Sequence, residues 1–257
     1  MTTTIEFGAL AVELLDNGVA KVTFSRPPVN AFSISVYENL GQLTEWVEGN
    51  DDVRAIVITA PDDARAWCGG ADLNDFKGMT KEKRNERYAF INQQLPRFHA
   101  IDRPTIAAIN GAAIGIGMVL SSLCDFRVAA EDAKFAVPEV DYGLLSGGAG
   151  RFVALRLPEP KLREMLYTGR KFTAREIEPT GFFNYVVPCE EVLPRALALA
   201  AEVASKDSTI MRARKRDSLL LEGSEWFDAY LRAQQGSANL VERPASHAGV
   251  EKALGKA

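Results

Sequence analysis

The stretch from Thr105 to Asp125 constrains this chain more than any other. Pro104 opens it, and Thr105-Ile106-Ala107-Ala108-Ile109 is an apolar, strand-like run. Asn110 to Gly117 carries three glycines, Gly111, Gly115 and Gly117, and Met118 to Asp125 is apolar enough for a buried helix. Glycine lets the backbone turn sharply and approach other groups with no side chain in between. A helix that begins at such a turn directs free N–H groups, at the positive end of its dipole, toward whatever lies beyond. Alone, the stretch fits two readings: an anion-stabilising turn, or close strand-to-helix packing that needs small residues. Nucleotide phosphate is disfavoured, because there is no Gly-x-x-x-x-Gly-Lys-Ser/Thr and Gly115-Ile116-Gly117 lacks the third glycine of a dinucleotide fingerprint.

The rest of the chain narrows the class. With 257 residues, 47% of them hydrophobic, it can bury a large core. Thirty basic against 34 acidic residues leave a charge of −4, which is no general lure for nucleic acid or anionic membrane. Met1 to Glu6 has no basic stretch followed by an apolar run, and no apolar run approaches the roughly 18 residues a membrane span needs. Cys68, Cys124 and Cys189 are odd in number and far apart, and only His99 and His247 offer imidazoles. The expectation is reduced, mostly buried thiols in a cytoplasmic protein without a metal.

Ahead of the glycine stretch, Leu10–Leu15 and Val19–Ser25 flank Asp16-Asn17-Gly18, a hairpin signal. After Arg26-Pro27-Pro28-Val29-Asn30 the spacing of Val36, Leu40, Leu43 and Val47 predicts a helix capped by Ser33 or Ser35, with Glu38, Glu45 and Glu48 solvated. Val53–Thr59 reads as a buried strand leading to a second glycine turn, Cys68-Gly69-Gly70-Ala71-Asp72-Leu73. Thr80–Ile101 is helical, with Tyr88, Ile91, Leu95 and Phe98 on one side and a kink expected at Pro96. Strands follow at Phe126–Ala130 and Phe135–Val137, then a flexible turn over Gly143–Gly150. Helices are expected at 152–157, 161–168, 193–205, 210–221 and 225–238, a capping box at Thr173–Glu176 and a strand at Tyr185–Val187. The fold class is α/β: a core over residues 1–190 and a helical region over 191–257.

Two glycine turns each precede a helix. Brought together, one N–H from each could hold a single oxygen and stabilise an oxyanion or enolate, each donor contributing roughly 2.7–4 kcal/mol in the transition state.

These segments resemble the crotonase superfamily, the enoyl-CoA hydratases and isomerases. The likeness runs from Val19 to about Ser205 and rests on five motifs in order: Arg26–Ala31, Cys68–Leu73, Asn110–Arg127, Phe135–Glu139 and Leu166–Arg170. The resemblance implies a ββα spiral with a C-terminal helical part that trimerises, often as a dimer of trimers, and thioester chemistry of fatty-acid metabolism. Coenzyme A would enter as part of the substrate, with no permanently bound cofactor. Ala71 and Ile116 would supply the N–H pair for the thioester oxygen, and Glu139 would be the catalytic acid/base. Arg26, Ala31, Gly69, Gly70, Asp72, Leu73 and Gly115 would form the coenzyme A and acyl site.

One departure decides the expected reaction. Hydratases of this family carry a second glutamate in the helix after the glycine turn, and Val119 stands there. Valine cannot bind or protonate water. An apolar residue resembles instead the 3-enoyl to 2-enoyl-CoA isomerases, in which one glutamate moves a proton between the carbons flanking the enolate. Asp141, two residues from Glu139, would share its direction on an extended segment and is a possible second acid for a hydratase, dehydratase or C–C lyase. Asp72 reads better as the cap of the helix it opens. The acyl pocket is expected over Phe76–Phe98 and Trp67, with Tyr142 and Leu145 near the base. The basic run Arg212–Arg216 reads as a solvated helix face that could reach a neighbouring subunit's coenzyme A phosphate. A branch of the family binds RNA through a lysine-rich first helix, but here that helix carries glutamates and no lysine. A coenzyme A thioester binder without chemistry is the reading of another class.

Overall fold

A computed structural model describes residues 4–255. The chain-start reading at Met1–Glu6 therefore rests partly on residues outside the described range.

The Asp16-Asn17-Gly18 turn joins β2 (Leu10–Leu14) to β3 (Val19–Phe24), and β1 (Thr4–Phe7) adds an outer antiparallel strand. Gly18, at φ +79°, takes the left-handed position such turns favour. Ser33 precedes α1 (Ile34–Glu48), but its hydroxyl bonds the Ser35 hydroxyl at 2.8 Å and caps no helical N–H; Asp75 Oδ2 instead accepts from the Ile34 N–H at 3.0 Å. Val36, Leu40, Leu43 and Val47 are all buried, as their spacing predicts.

From β4 (Ala55–Thr59) the chain repeats one pattern: a strand in a large sheet, a short strand in a small sheet, then a helix. It runs through β5 (Ala66–Cys68) and α2 (Lys81–His99), then β6 (Thr105–Ile109), β7 (Ala112–Ile114) and α3 (Ile116–Leu123), then β8 (Phe126–Ala130) and β9 (Lys134–Ala136). Next come α4 (Ala149–Ala154), α5 (Glu159–Thr168), β10 (Phe172–Thr173), α6 (Ala174–Ile177) and β11 (Tyr185–Val187). The large sheet has the order β1-β2-β3-β4-β6-β8-β11, parallel from β3 onward. The small sheet has the order β10-β9-β7-β5. This is the expected ββα spiral. The central parallel strands β4, β6 and β8 are almost wholly buried, so they read as continuous apolar runs, whereas β1 at the sheet edge is exposed or half-buried.

Four helices close the chain: α7 (Cys189–Ala204), α8 (Ser208–Leu220), α9 (Glu225–Leu240) and α10 (Pro244–Leu254). The first packs on the large sheet and α9 packs on α2 and α4. The last returns to the 3-10 turns at Leu73–Phe76 and Glu139–Tyr142. No helix among the described residues is long and apolar enough to cross a membrane.

The helix α2 holds Pro96 inside its span and runs to His99, within the expected helical stretch. Other expectations are corrected. Asp141 does not lie on an extended segment: Glu139–Tyr142 is a 3-10 turn, which sends neighbouring carboxylates to different sides. Lys215 of the basic run is buried and pairs with Asp125 at 2.6 Å. The thiols are mostly buried, as expected: burial pushes those of Cys68 and Cys124 up to about 12, and Cys189 is exposed.

Candidate active site

The two glycine turns meet. Gly70 has φ +112° and Gly115 has φ +54°, conformations that side chains rarely adopt. A Cβ built on Gly115 would lie 4.0 Å from Gly70 Cα and 3.0 Å from Glu139 Oε1, so the missing side chain is what lets the carboxylate reach this corner. Gly111 and Gly117 answer to the other reading, close packing. A Cβ there would lie 3.0 Å from the Trp67 amide nitrogen or 2.7 Å from the Cys68 carbonyl oxygen.

Ala71 follows the first turn and Ile116 begins α3 after the second. Neither backbone N–H has a hydrogen-bond partner among the described residues. Both residues line a cleft that opens to solvent. At the N-terminus of α3 the unpaired N–H is the geometry expected of any helix start, and the helix dipole adds positive potential there.

Glu139 reaches the same cleft from the turn after β9. Its Oε2 is buried without a hydrogen-bond partner among the described residues. Burial pushes the carboxyl up to about 7, with its own N–H and the charge of Arg84 offsetting only part of the shift. At neutral pH it is thus poised between acid and base, which suits a group that must both take and return a proton. Among the described residues it is the only carboxylic acid in the cleft wall.

Val119, on α3, lines that wall and is 1% exposed, an apolar neighbour with no proton to offer. Asp141 is outside the wall. It is exposed, and its carboxylate lies where a Cβ on Gly169 would be, 2.8 Å from Oδ2.

Of the residues expected to contact coenzyme A or the acyl group, Gly69, Gly70, Leu73 and Gly115 line the cleft. Arg26, Ala31 and Asp72 instead form a brace beneath the first turn. Arg26 donates to Asp72 Oδ2 at 2.7 Å and to the Ala31 carbonyl at 3.0 Å. Asp72 also caps the following 3-10 turn by accepting from the Asn74 N–H. Burial would raise the Asp72 carboxyl, but the bonds from Arg26 and Asn74 bring it below the ordinary value. Asn30, at φ +52°, joins the brace by accepting from the Arg26 N–H and donating to the Ala66 carbonyl. The Phe32 N–H then donates to Gly70 O at 2.8 Å, tying the brace to the turn.

Of the residues expected around the acyl group, Phe76, Tyr88, Ile91, Leu95 and Tyr142 line the cleft. Trp67 is a core residue whose indole donates to the Ile58 carbonyl, and Leu144 rather than Leu145 lines the cleft. Arg84 and Arg87, both buried in the wall, were not expected. Their signal is helical spacing: Arg84 stands four residues before Tyr88, on the stripe that continues through Ile91 and Leu95.

Comparison with known proteins agrees with this architecture. The sequence profile described as enoyl-CoA hydratase/isomerase matches residues 15–252. A putative enoyl-CoA hydratase/isomerase of Bacillus subtilis (strain 168) is 32% identical over 203 residues, covering 77% of this chain and 76% of the relative. A probable enoyl-CoA hydratase of the same organism is 35% identical over 198 residues, 75% of each chain. Among solved structures, an enoyl-CoA hydratase/isomerase from Mycobacterium paratuberculosis superposes with TM-score 0.85 at 23% identity, covering 95% of this chain and 98% of that one. That likeness establishes the shared fold, and the profile match together with the curated relatives establishes descent. The chain belongs to the enoyl-CoA hydratase/isomerase family, the crotonase superfamily.

Proposed function

We propose that this enzyme moves the double bond of a 3-enoyl-CoA thioester to the 2-position with Glu139 as its single acid/base. The observation that carries the reading is the Glu139 carboxylate, its Oε2 without a partner, in a cleft whose wall holds no second acid among the described residues.

The ionised carboxylate removes a proton from the carbon between the thioester carbonyl and the double bond. The electron pair left behind spreads into a dienolate, with negative charge on the thioester oxygen. The Ala71 and Ile116 N–H groups donate to that oxygen. Removing one donor of such a pair costs roughly 2.7–4 kcal/mol of transition-state stabilisation. The protonated Glu139 then returns its proton to the far carbon of the dienolate, so the double bond closes next to the carbonyl. One proton leaves and one arrives, and no water is consumed.

Water addition is favoured by the relatives named as hydratases. It would need a second group to hold and orient water, and Val119 and the outward-turned Asp141 are poor candidates. Proton exchange in D2O, followed by NMR on saturated, 2-enoyl and 3-enoyl CoA esters, separates the two readings. The expected outcome is deuterium uptake and double-bond migration without a 3-hydroxy product. Glu139→Gln should lower both by roughly 10²–10⁴-fold, the usual worth of a positioned acid/base. A 3-hydroxyacyl product would establish hydration instead. Exchange that Glu139→Gln leaves intact would remove Glu139 from the mechanism and favour a thioester-binding role.

A further inference from the structure

Arg84 is a buried cation that the proposed proton transfer does not touch, its charge reaching Glu139 only beyond ion-pair distance. Only 5% of the residue is exposed. Its Nε donates to the Tyr88 hydroxyl at 2.9 Å and one terminal nitrogen donates to the Ser237 hydroxyl at 3.3 Å. The guanidinium carbon stands 4.6 Å from the centre of the Phe76 ring and 4.7 Å from that of Tyr88. Every one of these partners is neutral. Among the described residues no carboxylate lies within the 4.0 Å of an ion pair. Arg87, three residues on, shows what the chain does when it compensates such a charge: Asp75 meets it at 2.8 Å.

A guanidinium withdrawn from water without a counter-ion costs several kcal/mol, and partners such as a hydroxyl and a ring face return only part of that. Arg84 lines the cleft, where Ile91, Leu95 and Phe152 supply apolar wall. An anion arriving there would find a low-dielectric site with a charge held in no ion pair and a planar fork of donors, the geometry that matches a carboxylate. Coenzyme A phosphates are the other anions of such a substrate. They are large and strongly hydrated and suit an open mouth better than a guanidinium enclosed by Phe76, Tyr88 and Ser237.

We propose that the acyl group of the substrate carries its own carboxylate, and that Arg84 receives it. This rests on the acyl-CoA reading above and adds a substrate class to it: thioesters of dicarboxylic acids rather than plain fatty acyl chains. The enzyme that supplies such a substrate would have to form the thioester at one end of a dicarboxylic acid and leave the other end ionised.

The test is binding of saturated esters, which reads the pocket whether or not chemistry follows. Succinyl-, glutaryl- and adipoyl-CoA are titrated calorimetrically against butyryl-, pentanoyl- and hexanoyl-CoA, matched in carbon count. At one length or more, the carboxylated ester should bind the wild type roughly tenfold or more tightly than its neutral match, the worth of a charge-assisted hydrogen bond. Arg84→Met should bring that ratio to within about twofold of one, and Arg84→Lys, which keeps the charge but not the fork, should retain part of it. Neutral esters bound as tightly at every length would overturn the assignment while leaving the acyl-CoA reading intact. So would an Arg84→Met protein that loses carboxylated esters, neutral esters and free coenzyme A to the same degree, because the charge would then serve the phosphates or the scaffold. Binding of no CoA ester at all would overturn the acyl-CoA reading itself. The wild-type ratios decide the question even if Arg84→Met does not fold.

Discussion

Glu139 and Asp125 belong to the same stretch of ββα spiral, and the molecule treats their carboxylates in opposite ways. Asp125 precedes β8 and is saturated with donors. It accepts from the Thr105 N–H at 2.8 Å, the Thr105 hydroxyl at 3.0 Å and the Lys215 ammonium at 2.6 Å. Glu222, between α8 and α9, is treated likewise by His99 at 2.7 Å and by Arg156. Burial would raise the Glu222 carboxyl, but those two partners bring it below the ordinary value. Glu139 follows β9, at the carboxyl ends of the parallel strands β7 and β9, and there an oxygen is left without a donor. Saturated carboxylates fasten elements together, whereas a carboxylate kept unsaturated retains a reactive proton. The cost is placed where parallel α/β sheets place their ligands, beyond the carboxyl ends of the strands.

The contrast breaks most visibly at Asp125. Asp125→Asn leaves Lys215, buried in its own right, without its counter-ion, and losing one partner of such a pair costs roughly 3–5 kcal/mol. For a chain of this length that is a fall in Tm of roughly 10 °C, read by calorimetry. Combining Asp125→Asn with Lys215→Met should recover a large part of the loss, since the uncompensated charge is what destabilises. A single variant that melts with the wild type would show the pair to be ornamental.

Glu139 should respond with the opposite sign. A folded-state carboxyl at about 7, raised by burial from its ordinary value of 4.5, binds its proton more tightly folded than unfolded. The stability it contributes is fully present below the unfolded value and is lost as pH rises through the folded one. Glu139→Gln, which cannot ionise, should therefore be more stable than the wild type at pH 8 by up to about 3 kcal/mol, a gain that shrinks several-fold at pH 5. Glu222 predicts the reverse window, with stability lost as pH falls below the ordinary carboxylate range. Denaturant titrations at the two pH values read both. A Glu139→Gln protein no more stable than the wild type at pH 8 would mean that the cleft solvates this carboxylate after all.

The same contrast explains what could be read without coordinates. The hairpin, the buried stripe of α1 and the meeting of two glycine turns with Glu139 were legible, because each depends on residues close in sequence or on a full set of motifs in order. Of the small sheet only β9 was, since strands of two or three residues such as β10 and β7 carry no period. Asp141 was misread because an extended segment was assumed where the chain makes a 3-10 turn. Arg84 sits on a stripe that was read only for its apolar members. What buries it is α9, which brings Ser237 from 153 positions further along the chain. Residues fastened locally announce themselves; residues made functional by a distant element do not.

Arg26 puts the smallest effect on this comparison and separates its two sides most finely. Expected either near the coenzyme A phosphates or snorkelling at the end of its strand, it stands with Asp72 and Ala31 under the first glycine turn, and its side chain is 36% exposed, so the ion pair itself contributes no more than about 1 kcal/mol. Its leverage is positional. The brace fixes Ala31, Phe32 follows, and the Phe32 N–H holds the Gly70 carbonyl beside the Ala71 N–H proposed to face the thioester oxygen. Arg26→Ala should therefore leave the affinity for free coenzyme A nearly as it was and lower kcat several-fold, with KM little changed. An oxygen held slightly out of line loses more in the transition state than in the ground state. A phosphate contact would give the other pattern, a raised KM and weakened binding of free coenzyme A with kcat preserved. In that case the charge would belong to ligand binding, and the division between fastening groups and reacting groups would have to be redrawn at this corner of the cleft.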